Sequence, residues 1–409
     1  MKLSKQLFKG LVCAGLILSG TANAQNAPKE QMKKLIDANL TFAAQQYKVL
    51  AQNVPASVMP KTYNAKDNKV ITSDTQWWCS GFYPGTLLYI YEYTKDPSIL
   101  QEAKQRLAIL EKEKHFTGNH DLGFMMFCSF GNAYRLFGVP EYKTILDTSA
   151  ASLSTRFRPS ISAIQSWDKS KNFNCPVIID NMMNLELLCW VSDNGGDPKY
   201  KNIAITHANT TLKNHFRPDY SSYHVLDYDL NTGKVLKKVT WQGAADSSPW
   251  SRGQGWGLYG YTLMYRFTKD QAYLNQARRI AQFILKHPNL PADMIPYWDF
   301  NAPGIPNTYR DASAGALIAS ALLELGQYVS NKERKQFVGA AEKMLLSLSS
   351  DTYRAKPGTN GGFILMHSTG ALPFKSEVDV PLTYADYYFI EALLRYKKWY
   401  LADTLTTKN

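Results

Sequence analysis

Apolar residues recur at three- and four-residue spacing along most of this chain, and that period predicts helices rather than strands. The pattern places helices over 29–53, 80–95, 97–114, 121–137, 139–155, 181–193, 197–215, 251–267, 269–286, 311–326, 331–349 and 382–399. Short turns such as Thr94-Lys95-Asp96-Pro97, Phe137-Gly138-Val139-Pro140 and Thr268-Lys269-Asp270 join many consecutive helices. Connections that short make antiparallel neighbours, so the repeating unit is a helical hairpin. Odd-numbered helices carry charged faces, as in Gln101-Glu102-Ala103-Lys104-Gln105-Arg106. Most even-numbered ones are apolar and rich in small residues, as in Ala312-Ser313-Ala314-Gly315-Ala316-Leu317. A helix that is apolar all round is buried, and one with a charged face lies outside. Six such hairpins predict an all-α fold, a closed (α/α)6 barrel with an inner and an outer ring. A helical solenoid is the alternative, but it requires a fixed repeat period that the chain does not show.

Four long segments, 54–79, 216–250, 287–310 and 350–381, interrupt the helices and carry Pro, Gly, Tyr and Trp. Within them Tyr220 to Val239 predicts a β-hairpin turning at Asp229-Leu230-Asn231-Thr232-Gly233. Long loops in a compact unit are commonly functional.

The N-terminus adds an address. Lys2, Lys5 and Lys9, the apolar run Leu11 to Leu18 and Ala22-Asn23-Ala24 form a signal-peptide pattern over 1–24, with cleavage before Gln25. No segment is long enough to span a membrane. The expectation is an exported, periplasmic protein with one large domain over 25–409, since no linker divides it. Removing the three leader lysines lowers the formal charge from +12 to about +9. That excess is dispersed, which fits an anionic small-molecule partner, and no nucleic-acid-binding motif accompanies it. Cys79, Cys128, Cys175 and Cys189 have apolar or aromatic neighbours and read as buried thiols, although export permits disulfides. No His/Cys cluster has metal-ligand spacing. No pattern along the chain addresses its oligomeric state.

Polar and aromatic residues gather at the starts of the even-numbered helices: Trp77-Trp78, His120-Asp121, Asp180, Trp250-Ser251-Arg252 with Trp256, Tyr309-Arg310-Asp311, and Thr383-Tyr384. On an inner ring, all six clusters meet at one mouth. Trp faces stack on sugar rings, and Arg pairs with a carboxylate as a two-pronged donor. A pair of carboxylates is the usual equipment for cleaving a glycosidic bond. Asp121 and Asp180 are the candidates. Asp180 sits in Pro176-Val177-Ile178-Ile179-Asp180-Asn181-Met182-Met183, where burial raises a carboxyl pKa toward that of a general acid. Taken alone, the same position reads first as a helix N-cap. The positive end of a helix dipole pulls the pKa the other way.

Trp78-x-x-Gly81-Phe82-x-x-Gly85, His120-Asp121-x-Gly123-Phe124, Asp180-x-Met182-Met183-Asn184, Gln242-Gly243, Ser248-x-Trp250-Ser251-Arg252-Gly253-Gln254-x-Trp256 and Asp386-Tyr387-Tyr388-Phe389-x-Glu391-Ala392-Leu393 together resemble the unsaturated glucuronyl hydrolases of glycoside hydrolase family 88. The resemblance covers nearly all the chain after the leader. It implies an (α/α)6 barrel and an enzyme that removes the 4,5-unsaturated uronic acid from the non-reducing end of lyase-generated oligosaccharides, glycosaminoglycan disaccharides above all. The implied step is hydration: protonation at C4, water at C5, and rearrangement of the hemiketal with release of the neighbouring sugar. It implies Asp180 as general acid/base and Asp121 as the second essential carboxylate. His224 and Gln242 match residues near the reacting bond, and Arg252 one near the uronate carboxylate. Trp78, Trp167, Trp250 and Trp256 are implied to line the sugar site, with core packing as the rival for each. Lys375 lies in a loop where some relatives bind sulfate, but Leu372-Pro373-Phe374 departs from that pattern and an exposed loop lysine is the plainer reading. No metal or organic cofactor is implied.

Other readings stay open on the residues alone. They are an unsaturated rhamnogalacturonyl hydrolase acting on pectin fragments, a non-catalytic exported glycan-binding protein, and conventional inverting hydrolysis on the same fold.

Overall fold

The computed structural model describes residues 28–401; the leader pattern lies outside them. In chain order it runs α1 (Lys29–Gln52), β1 (Met59–Asn64), β2 (Lys69–Ser73), α2 (Phe82–Thr94), α3 (Pro97–Leu110), a π-helical stretch Gly123–Gly131 continuing into α4 (Asn132–Phe137), and α5 (Pro140–Ser154). Then come β3 (Phe157–Arg158), β4 (Ala163–Ile164), β5 (Pro176–Ile178), a 3-10 turn Ile179–Met183, α6 (Leu185–Asp193), α7 (Lys199–Asn214), β6 (Val225–Tyr228) and β7 (Val235–Val239). The chain ends with α8 (Ser251–Thr268), α9 (Gln271–Lys286), α10 (Ala312–Leu325), α11 (Asn331–Leu348), β8 (Ser368–Ala371), β9 (Ser376–Val380) and α12 (Thr383–Tyr396).

The turns do what their residues dictate. Lys95 and Lys269 close α2 and α8 in the left-handed conformation, and Asp96 and Asp270 then cap α3 and α9 by accepting from Ser98 N–H and Ala272 N–H. Gly138, at φ +63°, ends α4 two residues before Pro140 opens α5. Each hairpin therefore reverses within a few residues.

Every residue of α10 is buried. In α9 only Tyr273, Leu274, Gln276, Ala277, Ile280, Ala281 and Ile284 are, a one-sided stripe. The even-numbered helices pack in a closed cycle: α2 on the π-helical stretch, that stretch on α6, α6 on α8, α8 on α10, α10 on α12, and α12 back on α2. This is the (α/α)6 barrel. Among the described residues no helix is long and apolar enough to cross a membrane.

Two expectations change. The β-hairpin exists as β6 and β7, but β5 joins it to make a three-stranded antiparallel sheet, and three further two-stranded sheets occupy the long connections. The helix read over 181–193 begins as a 3-10 turn, with α6 starting at Leu185. A three-residue apolar strand cannot be told from a helix start by periodicity.

Close approach of the inner helices depends on glycine. A Cβ at Gly81 would stand 2.1 Å from the Met125 carbonyl oxygen, a backbone atom that cannot swing away. Gly81→Ala is expected to destabilise the protein by at least about 2 kcal/mol through overpacking, read as a lowered midpoint in chemical denaturation.

Candidate active site

The six clusters at the inner-helix starts converge. Trp78 before α2 packs on Phe124 of the π-helical stretch and on Tyr384 of α12, with ring centroids 5.3 and 4.9 Å away. Arg252 of α8 pairs with Asp311 at the start of α10 (Nη1–Oδ2 2.9 Å) and lies over the Tyr384 ring. Asp121 and Asp180 are near enough that the charge on Asp180 raises the pKa of Asp121.

The sheet sets Asp180. Pairing of Ile178 with Val225 carries the chain to Ile179, whose N–H donates to the His224 carbonyl at 3.1 Å. Asp180 is the next residue, and its Oδ2 comes to lie 3.6 Å from His224 Nε2. The helix-cap reading does not hold. Neither the 3-10 turn nor α6 takes a side-chain cap, and Asp180 Oδ2 is buried with no hydrogen-bond partner. Burial pushes the Asp180 carboxyl up to about 7, against the pull of the Arg252 charge and the neighbouring Trp256 indole.

Asp121 sits just before the π-helical stretch. Gly123 lets that stretch approach Asn184 so closely that a Cβ would come within 2.4 Å of the Asn184 Cα. Phe124 N–H donates to Asn184 Oδ1 at 3.1 Å and locks the contact. Burial first, and then the Asp180 charge, lift the Asp121 carboxyl to about 8. With their carboxyls raised to about 7 and about 8, Asp180 and Asp121 both hold protons near neutrality.

Both neighbouring histidines are neutral. His224 Nδ1 accepts from the backbone N–H groups of Trp241 and Gln242, each at 3.1 Å, so the ring proton is on Nε2, facing Asp180. Burial lowers the His224 pKa to about 3, and that of His120 likewise. His120 Nε2 stands 3.3 Å from Asp121 Oδ1.

Arg252 differs from its expected part as a free two-pronged donor. Its four Nη hydrogens go to Asp311 Oδ2, the Thr369 carbonyl, Gln242 Oε1 (2.8 Å) and the Gly370 carbonyl. It is a buried positive charge that fixes Gln242 by its oxygen and faces Asp180. Trp250, buried between His224 and Arg252 with ring contacts of 4.5 Å to each, is their spacer. Trp256 is wholly buried against Phe124 and Tyr388, beneath the floor of the mouth. Trp78 and Trp167 are half-buried at the surface of the site. Lys375 is exposed, in a left-handed turn.

The periodicity did not reveal an aromatic rim. Trp167 meets Phe173, Phe173 meets Trp241, and Trp241 meets Phe374, with centroids 5.6, 5.2 and 5.2 Å apart. Trp241 and Phe374 are exposed. The only signal in the sequence was an indole next to Gln242 in a long loop.

The buried pair has a measurable cost. A carboxyl whose pKa is raised by folding contributes stability below its unfolded value, and that contribution is lost as pH climbs through the folded value. For Asp180 and Asp121 this window runs from about 4 to about 8. Asp180→Asn and Asp121→Asn are therefore expected to be more stable than the parent above pH ~8, by roughly 2–4 kcal/mol each, with the gain vanishing near pH ~4. Thermal melts across that range test the sign.

Comparison with known proteins matches residues 52–391 to the model of Glycosyl Hydrolase Family 88. An unsaturated glucuronyl hydrolase of Formosa agariphila is 45% identical over 350 residues, covering 85% of this chain and 87% of that protein. One from Bacillus sp. is 33% identical over 345 residues, covering 81% and 91%. The crystal structure of an unsaturated glucuronyl hydrolase specific for heparin superposes with TM-score 0.86 at 46% identity, covering 90% of this chain and 98% of that one.

Proposed function

The chain belongs to glycoside hydrolase family 88, and on its site geometry we propose that Asp180 is the proton donor and Asp121 its essential partner. The protein is an enzyme, an unsaturated glucuronyl hydrolase acting on glycosaminoglycan-derived oligosaccharides by hydrating the C4=C5 double bond of the terminal uronic acid. The observation that carries the residue assignment is the Asp180 carboxyl, buried, unpartnered at Oδ2 and raised to about 7.

In this reading Asp180 gives its proton to C4, and the double-bond electrons form the new C–H bond. Water adds to C5 and returns a proton to the Asp180 carboxylate, so the net change is addition of one water. The C5 hemiketal opens by breaking its bond to the ring oxygen, leaving a C5 ketone and a hemiacetal at C1. Collapse of that hemiacetal to the aldehyde releases the neighbouring sugar. The Arg252 charge stabilises the Asp180 carboxylate present between the two transfers. The His224 Nε2–H faces Asp180 Oδ2 from 3.6 Å without a hydrogen bond in the free enzyme, and Gln242, held through its oxygen, offers its amide N–H groups to the uronate. Trp167, Trp241 and Phe374 supply faces for the next sugar.

The substrate family member to test first is the heparin lyase product, because a relative of 46% identity is specific for heparin. The apolar Leu372-Pro373-Phe374 beside Lys375 argues for weak dependence on sulfate there. The signal pattern over 1–24 supports export to the periplasm, and N-terminal sequencing of the secreted protein should then begin at Gln25.

Loss of the ultraviolet absorbance of the unsaturated uronate is the assay. Asp180→Asn should lower kcat by about 1,000-fold or more with the fold intact, and an active variant removes Asp180 from the role. For the native enzyme, kcat/KM should fall as pH rises past ~7, approaching about tenfold per unit, because the donor loses its proton. A flat profile across that range would contradict an acid of this pKa.

A further inference from the structure

The mechanism uses one end of the ring. Beneath the mouth, within the ring, α2, the π-helical stretch, α4, α6, α8 and α12 surround a cavity of about 900 Å³. Its walls include Tyr89, Phe127, Tyr134, Trp190, Tyr259 and Tyr387. Trp190 meets Tyr134 edge-on and Phe127 at a tilt, with centroids 5.3 and 5.8 Å apart, so several aromatic rings face the space at different angles.

Charged groups stand among these rings, and the cations deep in the walls are already compensated. Arg266 pairs with Glu186 at 2.8 Å, Arg395 with Glu324 at 3.1 Å and Glu391 at 3.6 Å, and at the rim Arg135 holds Glu92 in a two-point pair. Lys397 is held by Asp37 at 3.0 Å. Of the cations lining the cavity among the described residues, Lys398 has no such pair, and it is exposed at the opening. A sulfate or uronate therefore finds no free cation inside. A purely apolar guest would leave polar groups dry: the Tyr388 hydroxyl is buried with no hydrogen-bond partner, and Glu186 engages Arg266 through Oε1 alone. Aromatic faces interleaved with neutralised hydrogen-bonding pairs suit an uncharged, hydroxyl-rich ring compound.

We propose that this cavity is a second, non-catalytic binding site for a neutral saccharide of the hexose or N-acetylhexosamine class. Its ligand is distinct in charge from the anionic substrate of the mouth. The cavity adjoins the catalytic machinery from below: Gly123 and Met183 in its wall follow Asp121 and Asp180 by two and three positions, and the Phe124 and Tyr388 rings pack on Trp256. The proposal does not depend on which unsaturated disaccharide the enzyme prefers.

The test is calorimetric titration of the full-length enzyme with N-acetylglucosamine. Three variants accompany it: Trp190→Ala and Glu186→Gln in the cavity, and Trp241→Ala at the mouth. Binding should persist in Trp241→Ala and weaken by about tenfold or more in both cavity variants, and in the two cavity variants turnover of unsaturated disaccharide should stay within about twofold of the parent. Glu186→Gln preserves shape, so it keeps the test valid if Trp190→Ala misfolds. Absence of binding to the parent enzyme would overturn the proposal. So would binding that is lost in Trp241→Ala and retained in the cavity variants.

Discussion

A buried carboxyl with one oxygen, Asp180 Oδ2, left without a hydrogen-bond partner is the constraint on which this site depends. Desolvation of Asp180 outweighs the attraction of Arg252, and that balance keeps the proton on the acid near neutral pH. The balance is local in charge but remote in origin. It requires β5 to pair with β6, so that the Ile179 N–H meets the His224 carbonyl and the carboxyl follows into the wall. It also requires Arg252 to be held by Asp311, Thr369 and Gly370, at three positions beyond α9. The energy spent on burying the pair is offset by the ring, whose inner helices bury almost everything they carry.

The arrangement separates binding from chemistry. Exposed rings at the rim, Trp241 and Phe374, offer surface to a sugar, while Trp250 and Trp256 lie buried and space the charged groups. Burial and the Arg252 charge keep His224 neutral, and two backbone donors on Nδ1 leave its proton on Nε2, so it faces Asp180 without competing for its proton. Neutral donors around an acid leave its proton transferable, and a permanent cation at a distance stabilises the anion left behind.

The ring was legible because helical periodicity persists over many turns, and because buried helices such as α10 contrast with one-sided ones such as α9. The six clusters were legible for the same reason: once helix starts are placed, their chemistry converges. What escaped was set by long-range contacts. The cap reading of Asp180 followed a local rule, and a bond from Ile179 to a residue forty-five positions later overrode it. The saturation of Arg252 by carbonyls of Thr369 and Gly370 leaves no trace in spacing. The aromatic rim is assembled from Trp167, Phe173, Trp241 and Phe374, which three different loops bring together. Family resemblance supplied roles for Asp121, Asp180, His224, Gln242 and Arg252; the geometry shows which of them touch and which are already engaged.

The central claim is that the Asp180 proton goes to a carbon rather than to a glycosidic oxygen. Turnover of an unsaturated disaccharide in deuterated water, followed by proton and carbon NMR from the first minutes, tests it directly. Hydration predicts one deuterium on C4 of the released uronate and disappearance of the double bond. Release of a uronate that keeps its double bond, with no deuterium at C4, would contradict the account.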